Sequence, residues 1–219
     1  MRSATAIVLA AGLSTRMGGL APPTENGGRT LFTPAATGEV QKLLLPVDGR
    51  PMVQHCLDLI ARMPFARCVL VTTPAVAEAV ETRAQIIFNP APEAGQSGSV
   101  RLGVSAAPPG DSLLFLTGDQ PFLDEATLRT ILAADDGASI LYPTGPDGVP
   151  KSPVLFPPSF REALLALKGD EGGRQLRRQY PDACRPVEIT NEWALLDVDT
   201  PEDYERITQD RPTMEAEGS

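Results

Sequence analysis

The chain has 219 residues, of which 42% are hydrophobic and 21% charged, a composition that excludes a disordered chain and suits one α/β domain with a sizeable core. A formal net charge of -9 argues against a DNA or RNA partner, which calls for a basic face, but a nucleotide remains compatible because a bound metal and local cations can invert the field. No apolar run reaches the about 18 residues of a membrane span or a leader, and Cys56, Cys68 and Cys184 form no CxxC pair. A cytoplasmic protein without membrane contact, disulfide framework or zinc site is therefore expected, with Cys56 and Cys68 as buried structural thiols.

Thr5 to Ala10 (TAIVLA) is a β-rich apolar run ending at Ala11-Gly12, which predicts a buried strand entering a tight turn. The stretch around it, LAAGLSTRMGG from Leu9 to Gly19, has small residues at Ala10, Ala11 and Gly12 that let a backbone approach a ligand closely. Successive N–H groups there can cradle phosphate oxygens, with Ser14 and Thr15 hydroxyls and the Arg16 guanidinium as further donors. An ordinary strand-to-helix turn accounts for these residues equally well. Neither a dinucleotide nor a Walker fingerprint is present. Gly18 to Gln41 then interrupts the pattern with Gly, Pro, Thr and polar residues, as a lid or a mobile insertion would.

Lys42 opens KLLLPVDGRPMV; alone it reads as a surface charge, although its place after the first loop could aim it back at phosphates. Met52 to Met63 predicts an amphipathic helix, whose only histidine, His55, is read as a packing or surface residue rather than a catalyst. Strands are expected at Arg67–Thr73, Gln85–Phe88, Leu113–Thr117, Ser139–Tyr142 and Pro153–Phe156. Helices are expected at Ala75–Arg83, Ser97–Ala106, Glu125–Ala134 and Phe160–Leu167. This alternation predicts a mostly parallel sheet covered on both faces, with ligands beyond the carboxyl ends of the strands.

Two acidic segments stand at such ends. Asp119, in LTGDQP, follows the Leu113–Thr117 strand and suits a hard cation, or the capping of a turn. In LLDVDTPEDY, Asp197 and Asp199 are expected on one face of a strand, followed by a helix with Thr200 as N-cap and Pro201 at its first position. Capping explains Thr200 and Pro201 but neither aspartate, and Asp199 is the better metal candidate.

Taken together, LAAGLSTRMGG, the Lys42 segment, NPAPEAGQSGSVRLGV (Asn89 to Val104), LTGDQPFL and DVDTPED occur in an order that resembles the MobA-like NTP transferase family. Within it the pattern is most similar to the molybdenum-cofactor cytidylyltransferase branch, over about Thr5 to Ile207. The resemblance implies a Rossmann-like, three-layer α/β/α fold with a mixed, mostly parallel sheet of about seven strands. It implies a nucleotidyltransferase domain, here over 1–209 with 18–41 as an insertion, and the polar, acidic residues 210–219 are expected to form a flexible tail. It implies Mg²⁺ on Asp119 and Asp199, with Arg16, Lys42 and Asp119 as catalytic residues. Leu9, Ala10, Ala11, Gly12, Ser14, Arg16, Lys42, Gln96, Ser97, Ser99 and Gly118 would hold the nucleoside triphosphate, with Gly95 beside the nucleoside and Arg101 a turn deeper.

Ala11 favours the cytidylyl branch and hence CTP, because guanylyl members usually read Leu-Ala-Gly-Gly. Gly169 to Arg174 also resembles a late segment of that branch. Two features depart from the family: the 18–41 insertion, and Lys151-Ser152-Pro153 where Gly-His-Pro is usual. Lys151 and Ser152 would lie near the acceptor, with Lys151 placed to pair with its phosphate. The expected reaction transfers CMP from CTP to a phosphorylated acceptor such as molybdenum cofactor and releases pyrophosphate. A guanylyl donor, a sugar phosphate or other phosphorylated acceptor, and a non-catalytic protein serving molybdoenzyme maturation all stay open. A molybdoenzyme or chaperone is the further partner that the molybdenum reading implies.

Overall fold

The alternating apolar segments assemble into a seven-stranded sheet in the computed structural model, which describes residues 2–12, 24–26, 29–31 and 41–209. The elements run β1 (Ala4–Ala10), β2 (Thr24–Asn26), β3 (Arg29–Leu31), β4 (Pro46–Val47), β5 (Arg50–Pro51) and α1 (Met52–Arg62). They continue through β6 (Arg67–Thr72), α2 (Pro74–Glu78), β7 (Gln85–Phe88), α3 (Gln96–Ala106), β8 (Ser112–Thr117) and α4 (Glu125–Ala133). The last are β9 (Ile140–Thr144), β10 (Val154–Phe156), α5 (Arg161–Leu165), α6 (Gly173–Gln179), β11 (Cys184–Glu188) and α7 (Pro201–Gln209).

The main sheet has the order β11-β9-β10-β8-β1-β6-β7. β1 pairs in parallel with both β6 and β8, and β10 alone runs antiparallel to its neighbours. β2 and β3 form a separate antiparallel hairpin, the described part of the 18–41 insertion. Apart from Gln41, the rest of that insertion, like the 210–219 tail, lies outside the described residues.

Both faces of the central strands are covered, so those strands are apolar at almost every position. Alternate residues supply two cores. Ala6, Val8, Leu70, Leu114 and Leu116 pack against Cys56, Leu57 and Ile60 of α1 and Leu128, Ile131 and Leu132 of α4. Ile7, Val69, Val71, Leu113 and Phe115 face the other way, toward Val100 and Val104 of α3, Leu164 and Leu176. The expected three-layer α/β/α architecture with its mixed, mostly parallel sheet is thus the fold observed. No helix among the described residues is long and apolar enough to cross a membrane.

Three local expectations need correction. The helix expected over Ala75–Arg83 stops at Glu78. Buried Gln54 of α1 explains this: its Nε2 donates to Glu81 O (2.8 Å) and its Oε1 accepts from Glu81 N (2.9 Å), claiming the backbone groups another helical turn would use. Asp197 and Asp199 lie not on a strand but in an extended segment after a 3₁₀ turn, Glu192–Leu195. Its link to the Asp119 turn is Val198 N–H donating to Asp119 O at 3.0 Å. Finally, Cys68 is half-buried rather than buried, while Cys56 is fully enclosed and burial pushes its thiol up to about 12.

Because Gln54 satisfies two groups at once, Gln54→Leu is expected to lower unfolding free energy by about 1–3 kcal/mol. Chemical denaturation of the two proteins measures this; an unchanged midpoint would show that Glu81 finds water instead.

Candidate active site

The carboxyl ends of β1 and β8, where the strand order reverses direction, form the switch point at which open α/β sheets bind ligands. A cleft of about 880 Å³ opens there, lined by Leu9, Thr117, Asp119, Asp197 and Asp199 on one side and by Lys151, Ser152 and α6 on the other.

A short turn places Lys42. Residues Lys42–Leu44 form a 3₁₀ helix whose Leu43 is buried against Gly118; a Cβ on Gly118 would come within 2.9 Å of Val53 and 3.3 Å of Leu43. The missing side chain at 118 therefore lets the Lys42 turn lie directly on the end of β8. A third small core, Leu45, Val47 and Met52 with Val198, Tyr204 and Ile207, ties this turn to the Asp199 segment. The Tyr204 hydroxyl donates to Pro46 O across the same junction.

The Lys42 ammonium consequently lies between two carboxylates, 2.7 Å from Asp119 Oδ2 and 2.9 Å from Asp199 Oδ1. Burial works to lower its pKa, but Asp119 and then Asp199 outweigh that effect, so the net shift is upward from 10.5. Asp199 is held from behind by a capping box. Asp203 Oδ2 accepts from the N–H groups of Asp199 (3.0 Å) and Thr200 (2.9 Å), while Thr200 Oγ1 accepts from Asp203 N (3.2 Å). The expected N-cap and first-position proline of α7 are both present.

Asp119 Oδ1 is buried and has no hydrogen-bond partner among the described residues. A carboxylate with one oxygen on Lys42 and one spare is a donor set for a hard cation. Asp199, whose side chain is 42% exposed, stands beside it on the cleft wall. Mg²⁺ is ordinarily held by one or two protein carboxylates with phosphate oxygens completing its shell, and the pair fits that pattern. Asp197 is a third carboxyl in the cleft. Burial, with Asp119 and Asp199 adding to it and Lys151 and Lys42 opposing, raises its pKa to about 7.

The other expected residues are distributed as follows. Leu9 lines the cleft, Ala10 and Ala11 are buried at the end of β1, and Gly12 is exposed. Ser14 and Arg16 lie outside the described residues. Gln96 lines the cleft, whereas Ser97 and Ser99 are buried and engaged internally: Ser97 Oγ accepts from Arg101 Nη1 (3.0 Å) and Ser99 Oγ from Asn89 Nδ2 (2.9 Å). Arg101 also donates to Leu167 O at 2.5 Å, so it braces the loop before α6. Gly95 has φ +100°, and a Cβ there would overlap the Gly169 backbone; Ser97 N–H donates to Gly169 O at 3.0 Å. These contacts join the start of α3 to the 169–172 loop.

His55 Nε2 lies 2.8 Å from Val47 O and serves packing of the β4–β5 hairpin. The sequence reading did not single out Arg177 and Arg178, which line the cleft from α6 beside Arg174. The signal available was their i, i+3, i+4 spacing from Arg174 after a glycine-rich turn.

The MobA-like NTP transferase domain matches residues 6–184, most of the chain. The Bifunctional protein GlmU of Rhodospirillum rubrum is 28% identical over 180 residues, which cover 77% of this chain but only 35% of that protein. The chain thus spans about a third of the length of that relative. The Mycobacterium tuberculosis rv0371c homolog from mycobacterium sp. strain JC1 superposes with a TM-score of 0.76 at 25% identity, covering 95% of this chain and 96% of that one. Rv0371c of Mycobacterium tuberculosis H37Rv, solved in complex with manganese, has a TM-score of 0.71 at 24% identity and covers 95% and 100%. At that identity the likeness concerns the fold. With residues 6–184 matched, the chain belongs to the MobA-like NTP transferase family.

Proposed function

We propose that this chain is a nucleotidyltransferase that transfers CMP from CTP to a phosphate-bearing acceptor such as molybdenum cofactor, with Mg²⁺ as its ion, and releases pyrophosphate. The observation that carries the reading is the Asp119–Lys42–Asp199 cluster at the switch point, with one Asp119 oxygen left spare. The preference for CTP rests on Ala11, and that for the molybdenum acceptor on the ordered motifs and the Gly169–Arg174 segment.

Asp119 and Asp199 would hold the ion. When bound, it would supply charge neutralisation at the transferring phosphoryl group and the leaving pyrophosphate. Lys42, already pinned at the end of β8, brings a compact positive charge to the phosphates. Ala11 and Gly12, which follow β1, would let backbone N–H groups approach the phosphates closely, and Ser14 and Arg16, outside the described residues, are the proposed further donors. A phosphate-monoester acceptor has a second pKa of about 6, so its nucleophilic oxygen is already largely deprotonated at neutral pH. No histidine base is then required, which agrees with the packing role of His55. What the residues must supply is in-line placement and charge compensation.

The acceptor belongs over β9 and β10, where Lys151 and Ser152 line the cleft. Lys151 N–H donates to Pro143 O (2.9 Å), and Gln120 Nε2 donates to Ser152 O (3.1 Å), so both positions are fixed through their backbone. Lys151→Ala is expected to raise the acceptor KM by about 10-fold and leave the NTP KM unchanged, consistent with loss of one ionic hydrogen bond. Steady-state kinetics with each substrate varied in turn would decide; an unchanged acceptor KM removes Lys151 from this role.

The deciding experiment is pyrophosphate release with Mg²⁺ and each of CTP, GTP, ATP and UTP against molybdopterin-type cofactor. Release with CTP supports the full reading. Release with GTP replaces the donor and retains the chemistry. Folded protein with no release from any of the four overturns this transfer reaction and leaves another phosphorylated acceptor or the non-catalytic reading, which a panel of phosphorylated metabolites separates.

A further inference from the structure

The far wall of the cleft carries charge that the transfer step does not use. Arg174, Arg177 and Arg178 occupy one face of α6 and all three line the cleft. The helix is seated by Leu176, buried in the second core, and by Gly173, where a Cβ would come within 3.1 Å of the Phe156 ring. That seating leaves the arginine face toward the cleft.

Arg177 is the most constrained of the three. It is half-buried, and its guanidinium stacks over the Tyr142 ring with Cζ 4.9 Å from the centroid. Its Nε is buried and makes no hydrogen bond among the described residues. Burial lowers its pKa, and an arginine remains cationic at neutral pH regardless. Two carboxylates stand on the preceding loop, Asp170 and Glu171, and both line the cleft. Glu171 Oε2 is engaged by Lys168 N–H at 2.8 Å. A planar, half-desolvated guanidinium on the cleft wall, with two further arginines beside it, is a receptor for an oxyanion.

Location tells which oxyanion. Tyr142 is on β9, while Asp119 follows β8, and β10 lies between them. Neighbouring strands are about 4.8 Å apart, so β9 is roughly 10 Å to the side of β8, and Asp119 lies further along, past the end of β8, while Tyr142 is level with Phe115. One phosphate group cannot touch both. The floor between them is apolar, made by Phe115, Val154 and Phe156.

We propose that Arg177, flanked by Arg174 and Arg178, is a second oxyanion subsite of the acceptor, so that the acceptor is an elongated molecule carrying a phosphate or carboxylate-like oxyanion remote from the phosphate that reacts. This rests on the nucleotidyl-transfer reading for its biological meaning. Its physical content, an oxyanion site on α6, does not.

The test is a titration of inorganic phosphate into the full chain without nucleotide, read by backbone amide chemical shifts. In the wild type the α6 and Tyr142 amides are expected to shift saturably. Arg177→Gln should weaken that response by about 10-fold or more, whereas Lys42→Ala should leave it in place. Arg177→Lys, which keeps the charge over Tyr142 but not the fork, should give an intermediate response and serves if the glutamine variant fails to fold. Absence of shifts on α6 in the wild type, or equal shifts in wild type and Arg177→Gln, overturns the subsite. Because no turnover is measured, failure of the transferase assay leaves this result standing. In kinetics with an active acceptor, Arg177→Gln should raise the acceptor KM; a raised NTP KM instead would assign the oxyanion to the nucleotide and refute the proposal.

Discussion

Asp119→Ala is expected to reduce pyrophosphate release by about 10³-fold or more while leaving the fold intact, because it removes a charged donor to the reacting centre and no packing. The side chain takes part in no apolar core, and the contact that joins its turn to the Asp199 segment, Val198 N–H to Asp119 O, is made by the backbone and survives. Lys42 keeps Asp199 as a partner at 2.9 Å, so no buried charge is stranded. Asp119→Asn is the sharper variant, since it preserves shape and hydrogen bonding to Lys42 and removes only the charge. Circular dichroism and a thermal melt establish that each variant is folded. Near-wild-type turnover by folded Asp119→Asn would sink the assignment of this carboxylate to the ion.

Lys42→Met is expected to separate two roles of one ammonium. In the absence of metal it holds together carboxylates lying 2.7 and 2.9 Å from it, and removing it sets Asp119 and Asp199 against each other. Breaking a fully buried ion pair costs about 3–5 kcal/mol, but Asp199 is 42% exposed and solvent screens it, so about 2 kcal/mol is expected. The sign with pH follows from the raised pKa. The contribution is fully present below the unfolded value of 10.5 and disappears as pH rises through the folded value, so it is intact near neutrality. Added Mg²⁺ should then stabilise Lys42→Met more than wild type, because no resident cation opposes it. Turnover should nevertheless fall by about 10²-fold or more, since the variant lacks the charge intended for the phosphates. Thermal melts with and without Mg²⁺, beside activity, check both halves. Equal responses to Mg²⁺ would show that the ammonium and the ion do not share the carboxylates.

Much of the frame was legible from local pattern. TAIVLA and the Leu113–Thr117 run are apolar at consecutive positions, which is what a strand buried on both faces requires, and they are the two strands flanking the switch point. The α1 and α4 helices follow their apolar periodicity closely. Where local pattern failed, a long-range hydrogen bond or an edge position was responsible. Residues 79–83 have helical composition, but Gln54 takes the Glu81 backbone groups. β11 contains Pro186 and exposed polar residues, acceptable at a sheet edge and invisible to a search for apolar runs.

The candidate site divides along the same line. The order of motifs along the chain identified the family, and the carboxylates at 119 and 199 stood out because no capping role consumed both acidic segments. That the Lys42 ammonium lies between those carboxylates, that Gly118 is small to admit Leu43, and that Ser97 and Ser99 turn inward were decided only in three dimensions. So was the stacking of Arg177 on Tyr142 across from the acidic wall. Sequence periodicity reports which face of an element is buried, because that depends on a few neighbouring residues. Which charges meet depends on sheet order and on a third small core that joins segments more than a hundred residues apart, and neither is written in any local window.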